Sequence, residues 1–449
     1  MTKREHAVVM GASMAGLLTA RALSNHFDRV TVVERDDLPL DAMTRKGVPQ
    51  GNHAHGLLAS GYRVMDSYYP GMFDEIVASG GRRGDITADF LWYQYGAWKL
   101  RANSGLGGIT ASRPLLESGV RRHTKANPKI TFLENHDAEM PQFEASRVTG
   151  VAVKSRDSGD EQFLDADLVV DATGRGSQSP KWLKSWGYAE VPQSSIEINV
   201  GYATAVFERQ PTDLWGSMGA IIAGTVPQAT RFAAIIGMEG ERWMITLAGA
   251  VGDFPPTDFA GWMEYARGLP TTDLVDMLAG REPLSEIVSY RYPANQRRHY
   301  EKLDDFPAGY LVIGDAFCSF NPVYGQGMSV AASEAKALDE CLASAGDAPV
   351  WKPFFARASK LADSPWTIAT GEDMKYPQVK GKRPPGFKMV NGYMARAHKA
   401  CTKDPVVLKQ FFSVANLLAP PTSMMSPRIA WRVAVGGRGK ARKLPTAIV

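Results

Sequence analysis

One short stretch near the amino terminus constrains this chain more than any other. Ala7-Val8-Val9-Met10 is a compact apolar run, the type that becomes a parallel strand buried on both faces. It leads into Gly11-Ala12-Ser13-Met14-Ala15-Gly16, a GxGxxG pattern with serine at its second glycine. A helical composition over 17–23 and a β-branched run, Arg29-Val30-Thr31-Val32-Val33, follow. The order is strand, glycine turn, helix, strand: a βαβ unit. Gly11 makes the tight turn, position 13 lets the backbone approach a pyrophosphate, and Gly16 allows close packing of helix on strand. Phosphates would sit at the helix start, by Ser13, Met14 and Ala15, where free N–H groups and the dipole favour anions. Glu34, followed by Arg35, closes the second strand where a carboxylate can bind ribose hydroxyls. A plain glycine turn with Glu34 as a solvated acid is the competing reading. The flanking strands and the placement of the acid favour a dinucleotide.

Two later stretches repeat the pattern. Leu168-Val169-Val170 leads into Asp171-Ala172-Thr173-Gly174, and Tyr310-Leu311-Val312-Ile313 leads into Gly314-Asp315. Three strands, far apart in sequence and each ending in a small-residue turn, imply one nucleotide-binding sheet assembled from discontinuous pieces. The predicted fold class is therefore α/β, with a Rossmann-type domain built from 1–80, 105–185 and 285–345. A β-sheet substrate domain is inserted at 81–104 and 186–284, with strands expected at 196–207, 219–225, 231–238 and 242–249. Residues 90–98 read as a hairpin whose alternation sets Tyr93 and Tyr95 opposite Trp92 and Trp98; packing is the simpler use of these rings, cavity lining the other. Residues 346–449 read as a helical region with proline interruptions and a basic tail, Arg438, Lys440, Arg442 and Lys443.

Composition narrows the class of partner. At 449 residues the chain exceeds what one core usually holds. A net charge of +4 on 51 basic and 47 acidic residues does not suit nucleic acid as the main partner. Cys318, Cys341 and Cys401 have no metal-type spacing and leave one unpaired in any disulfide scheme, which points to a reducing, cytoplasmic compartment. No secretory signal and no bilayer-spanning run is read. The basic tail could touch an anionic membrane surface peripherally, or simply be solvated.

The segment that separates a flavin from a nicotinamide lies near 320. Gly314-Asp315-Ala316 precedes Asn321-Pro322-Val323-Tyr324-Gly325-Gln326-Gly327-Met328. An aspartate at a strand end can accept from a ribityl hydroxyl. The glycine turn then opens a helix whose N–H groups can stabilise negative charge on a reduced flavin ring. With this block, the Gly11–Gly16 fingerprint and Asp171-Ala-Thr-Gly-Arg-Gly-Ser177, the chain resembles the FAD-dependent monooxygenases of the aromatic-hydroxylase and squalene-epoxidase fold group. Arg45-Lys46-Gly47-Val48-Pro49-Gln50-Gly51-Asn52-His53-Ala54-His55 and Arg298-His299-Tyr300 make it similar, within that group, to bacterial polyether-pathway epoxidases acting on polyenes. The similarity runs over roughly 5–335 and fades in the helical region.

The resemblance implies FAD as cofactor, reduced by NAD(P)H directly or through a separate flavin reductase. It implies insertion of one oxygen atom from O2, through a flavin hydroperoxide, into an apolar organic substrate by epoxidation or hydroxylation. Arg113, in Ser112-Arg113-Pro114-Leu115-Leu116-Glu117, would contact the FAD phosphates or ribityl chain, and Arg45 would lie near the flavin. Asp171 and Gly174 belong to the second block and Gly314 to the third, Asp315 would bind the ribityl chain, and Gly325, Gly327 and Met328 would cradle the ring. Pro322 would stand near the oxygen-reacting position. Tyr324, His53 and His55 are further candidates beside the ring, against packing and ordinary loop hydrogen bonding. No metal site is read. Cys318 stands where many aromatic hydroxylases carry histidine, which favours the epoxidase-like subtype. An FAD-dependent reductase of isoprenoid or polyene double bonds, and a non-catalytic FAD-binding protein, remain as alternatives. A flavin halogenase would need a buried lysine and a Trp-x-Trp-x-Ile-Pro block, and that block is absent.

Overall fold

In a computed structural model describing residues 4–346 and 348–436, the three glycine-ended strands lie side by side. They form a parallel sheet in the order Tyr310–Val312, Leu168–Asp171, His6–Met10, Arg29–Val33, Ile130–Leu133. The first three are buried along their whole length, as expected of parallel strands covered on both faces. Helix Met14–Leu23 packs between Arg113–Lys125 and Gly327–Ala345. The fingerprint glycines provide room for this. Gly11 adopts φ +101°, and a Cβ there would come 2.8 Å from the Ala172 carbonyl oxygen; one at Gly16 would come 1.8 Å from the carbonyl oxygen of Gly11. The three turns therefore crowd together at one end of the sheet.

A second sheet of eight strands runs Cys318–Ser319, Val288–Arg298, Gln193–Glu208, Arg242–Gly249, Arg231–Met238, Gly219–Ala223, Phe90–Gln94, Ala97–Trp98. It contains every strand expected between 196 and 249. Phe207, Trp243 and Ile245 seal one side against Trp262 and Leu274 of helices Phe259–Arg267 and Asp273–Met277. On the other side, Phe90 and Trp92 meet Leu408, Phe411 and Phe412 of helix Pro405–Ala415. The expected helical region is present as Trp351–Asp373, Phe387–Ala400, Pro405–Ala415 and Pro427–Gly436.

Two details differ from the expectations drawn from sequence. Val288–Arg298, placed at 285–345 with the nucleotide-binding unit, pairs antiparallel with Gln193–Glu208 in the second sheet, and Cys318–Ser319 pairs with it in turn. Its polar, charged sequence hid a strand whose ladder partner lies about a hundred residues earlier. In the hairpin, Tyr95 and Gly96 both take positive φ, 58° and 79°, and form the turn. The chain reverses there, so Trp98 pairs with Tyr93 on the same face, their rings 5.4 Å apart, and does not sit with Trp92. Among the described residues no helix is long and apolar enough to cross a membrane. The basic tail at Arg438, Lys440, Arg442 and Lys443 lies outside the described residues. All three cysteines are free and buried.

Candidate active site

A cavity of about 1230 Å³ runs from the glycine turns of the parallel sheet to the second sheet and the carboxyl-terminal helices. Pockets for one drug-sized ligand measure roughly 300–1,000 Å³; this one has room for a cofactor and a second molecule.

Its first end is built by the fingerprint. Ser13, Met14 and Ala15 line it, with Arg35 and Arg113. Ser13 begins the helix without capping it, so its hydroxyl is free to accept from Arg113 Nη2 at 3.2 Å. Arg113 is fixed by Glu117, 2.9 Å from Nη2. Serine in place of the second glycine therefore has a local use: it ties the turn to the arginine.

Six of the expected cofactor residues stand one layer behind the wall. Gly11 and Gly16 supply the close approaches described above. Gly314 has φ +67°, and a Cβ there would come 2.7 Å from the Ala15 side chain, so glycine lets the two turns touch. Glu34 accepts from the Ala12 N–H at 2.7 Å. Arg45, expected beside the flavin, is enclosed by acids: it lies 2.6 Å from Glu117, 3.5 Å from Asp36 and 3.6 Å from Glu34, and donates to the Ala12 carbonyl. A buried guanidinium needs such partners, and here they hold it at the back of the turn. Asp171 is likewise withdrawn. Its oxygens accept from Thr173 N at 2.9 Å, Thr173 Oγ1 at 2.6 Å, Ser177 Oγ at 2.6 Å and the Ser179 hydroxyl. A carboxylate so fully occupied shapes the 171–179 turn, leaving Gly174 and Arg175 at the wall.

The middle of the cavity is formed by the block after Gly314. Asp315 opens its carboxylate to the cavity and accepts no hydrogen bond among the described residues. The surrounding protein pushes its pKa up by desolvation although the side chain is open to the cavity, with Arg113 and Arg175 pulling the other way. Pro322, Tyr324, Gly325, Gly327 and Met328 continue the wall. Gly325 has φ +63° and faces Gly56, so two glycines let the 47–56 loop close on the 321–327 turn. The Gln326 side chain, 1% exposed, leaves both amide atoms without a partner at this wall.

His53 and His55 are both at the cavity. His53 Nδ1 meets Thr204 Oγ1 at 2.7 Å, and Thr204 continues to Thr246 at 2.6 Å. His55 Nδ1 lies 2.9 Å from the His53 carbonyl. Burial lowers both histidines to about 4, so they are neutral. A carbonyl can only accept, so His55 carries its proton on Nδ1 and keeps an Nε2 lone pair.

Sequence reasoning missed the acid nearest Tyr324. Asp373, the last residue of helix Trp351–Asp373, accepts from Tyr324 OH at 2.8 Å, Asn295 Nδ2 at 2.7 Å and Asn321 Nδ2 at 3.2 Å. It is 2% exposed and has no cationic partner among the described residues; burial raises it to about 6. No motif or spacing marks it. Trp92, for which core packing was the simpler expectation, lines the cavity with Phe90 and Gln94.

A family model described as FAD binding domain matches residues 4–349, spanning both sheets and this cavity's first two walls. The chain belongs to the FAD binding domain family. This FAD-binding chain is 35% identical to Protein Rv3254 of Mycobacterium tuberculosis over 349 residues, 76% of this chain and 73% of that one. It is 27% identical to a kynurenine 3-monooxygenase of Salinispora tropica over 378 residues, 77% and 74% of the two. Its fold is similar to that of a flavoprotein/dehydrogenase from Cytophaga hutchinsonii, with TM-score 0.69, 14% identity, and 97% and 99% of the chains covered. The residues present suit FAD. The N–H groups of the fingerprint helix and Arg113 could hold a diphosphate, Asp315 has an unused carboxylate for a ribityl chain, and the glycine-lined 321–327 turn, with its unpartnered Gln326 amide, would leave room for a ring.

Proposed function

We propose that the chain is an FAD-dependent monooxygenase that inserts one oxygen atom from O2 into a largely apolar organic molecule, by epoxidation or hydroxylation. The observation that carries this reading is one continuous cavity with a dinucleotide turn at one end and an apolar chamber at the other. Membership of the FAD binding domain family and the likeness to a kynurenine 3-monooxygenase support it. Bound FAD would supply the activation of O2. The resemblance to polyene epoxidases favours an alkene, and electrons would come from NAD(P)H directly or through a flavin reductase.

The chain's own residues then have defined tasks. Arg113 and the 13–15 amides hold the diphosphate, and Asp315 holds the ribityl chain. Phe90, Trp92, Phe411 and Phe412 exclude water from the chamber. Once protonated, below about pH 6, Asp373 can donate to the Tyr324 oxygen and free the phenol O–H to point into the cavity, reversing the bond in which Asp373 accepts. The 81–104 and 186–284 segments, with Val288–Arg298, hold the substrate.

Two outcomes test this. Reduced holoprotein should consume O2 in a substrate-dependent way and yield a product heavier by one oxygen atom; saturation of a double bond without O2 uptake would assign a reductase instead. Asp373→Asn should lower kcat on the order of a hundredfold and remove an inflection near pH 6 from its pH profile, with flavin content unchanged. The groups facing Asp373 include Tyr324, Tyr202, Tyr376, Asn321, Asn295 and Glu372; the asparagines do not titrate and the three tyrosines are pushed upward, away from pH 6. An unaltered profile would exclude Asp373 as the proton holder.

A further inference from the structure

Where the Phe90–Gln94 strand meets the carboxyl-terminal helices, a lysine is buried with no carboxylate partner among the described residues. Lys99 is 4% exposed, and its Nζ lies 2.9 Å from Nδ1 of His398. The ammonium also stands 5.6 Å from the Trp92 ring centroid and 5.0 Å from that of Phe411. Aromatic faces offset part of the cost of desolvating a cation, but an isolated buried charge remains unfavourable. Burial lowers Lys99 to about 8, so it stays mainly protonated at neutral pH.

The pair fixes a tautomer. An ammonium has no lone pair, so Lys99 donates and His398 Nδ1 accepts. Burial, with Lys99 and Lys375 nearby, drives the imidazole well below its ordinary pKa. It is therefore neutral, with its proton on Nε2. His398 lines the cavity, and Nε2 has no hydrogen-bond partner among the described residues. The rings of Tyr95 and Phe411, each 4.7 Å from it, hold the imidazole in place. The chamber thus presents an N–H donor with a cation directly behind it, in a wall that carries the Gln94 and Asn391 amides beside its aromatic and aliphatic side chains. A hydrocarbon would leave that donor unsatisfied; an anionic oxygen satisfies it and compensates the lysine.

We propose that His398, backed by Lys99, anchors an acidic oxygen of the substrate, a carboxylate or phenolate carried on an apolar skeleton. This deepens the reading of the cavity as a substrate chamber and rests on it. A site built to bond an oxygen rejects analogues that lack it far more strongly than an apolar pocket rejects a missing methylene.

The test measures binding, not turnover. Oxidised holoprotein is titrated with 2-naphthoate and with the neutral isostere 2-acetylnaphthalene, followed by calorimetry. The carboxylate should bind at least about tenfold more tightly. Lys99→Gln and His398→Leu should each bring the two probes within about threefold of one another, whereas His398→Gln, which keeps an N–H donor, should retain a preference. Equal binding by the wild-type protein, which requires no variant to fold, overturns the proposal. So does failure of 2-naphthoate to bind, or a preference that survives in both Lys99→Gln and His398→Leu. Acid preference without substrate-dependent O2 uptake keeps the anchor and removes the monooxygenase reading; O2 uptake without acid preference does the reverse.

Discussion

Gly11→Val is expected to leave a folded but colourless protein. Gly11 holds φ +101°, a region in which a β-branched residue is a genuine outlier, and any Cβ there would press to 2.8 Å on the Ala172 carbonyl oxygen. Backbone, not a flexible side chain, is the obstacle, so the fingerprint turn and the 172–174 turn must separate. That moves the amides of Ser13, Met14 and Ala15 away from a diphosphate. Strain of about 1–3 kcal/mol, added to the displacement, corresponds to a loss of FAD affinity on the order of a hundredfold. Gly105→Ala is the control: φ is +75° there, but nothing lies within 4 Å. It should cost some stability and keep its flavin. Absorbance of the purified variants at the flavin bands, alongside thermal melting, reads both effects. Full flavin content in Gly11→Val would contradict the assignment of the turn.

Glu117→Leu is expected to be the most destabilising single change. Glu117 is 3% exposed and stands 2.6 Å from Arg45, 2.9 Å from Arg113 and 3.7 Å from Arg121. Removing it takes the carboxylate from Arg113 and Arg121 and leaves Arg45 only the more distant Asp36 and Glu34, and breaking a buried pair in this way costs about 3–5 kcal/mol. The same cluster sets a pH dependence. Burial opposes ionisation of Glu117, but Arg113 and Arg45 outweigh it and hold the carboxyl below its ordinary value. A carboxyl depressed on folding stabilises the fold fully above its unfolded pKa, roughly 4.3. That contribution is lost as pH falls through the folded value. The urea midpoint should therefore fall more steeply with pH below about 4.3 for the wild type than for Glu117→Gln. Parallel curves would show that the cluster does not bear on stability.

The parallel sheet and the glycine turns at one end of the cavity were legible in the sequence because their signals are local. Gly11, Gly314 and Gly325 each end a strand or open a helix within a few residues, and glycine is demanded there by φ and by close approach. The roles of Arg45 and Asp171 were not legible, because what a buried charge does depends on partners from distant segments: Glu117 for one, Ser177 and Ser179 for the other. Val288–Arg298 escaped for the same reason, since its ladder partner alone makes it a strand. The chamber was hidden most completely. Asp373, Lys99 and His398 come from a helix end, a strand flank and a second helix, with no spacing to link them. Only the packing of the carboxyl-terminal helices on the sheet brings Asp373 and His398 to the cavity, with Lys99 against His398.

The most direct test of the account is a titration of flavin-stripped wild-type protein with FAD, followed by tryptophan fluorescence and flavin absorbance. Saturation at one FAD per chain, with spectral bands shifted by a less polar surrounding, is the expected result. Binding that never saturates, or FAD recovered unbound after gel filtration, would contradict it.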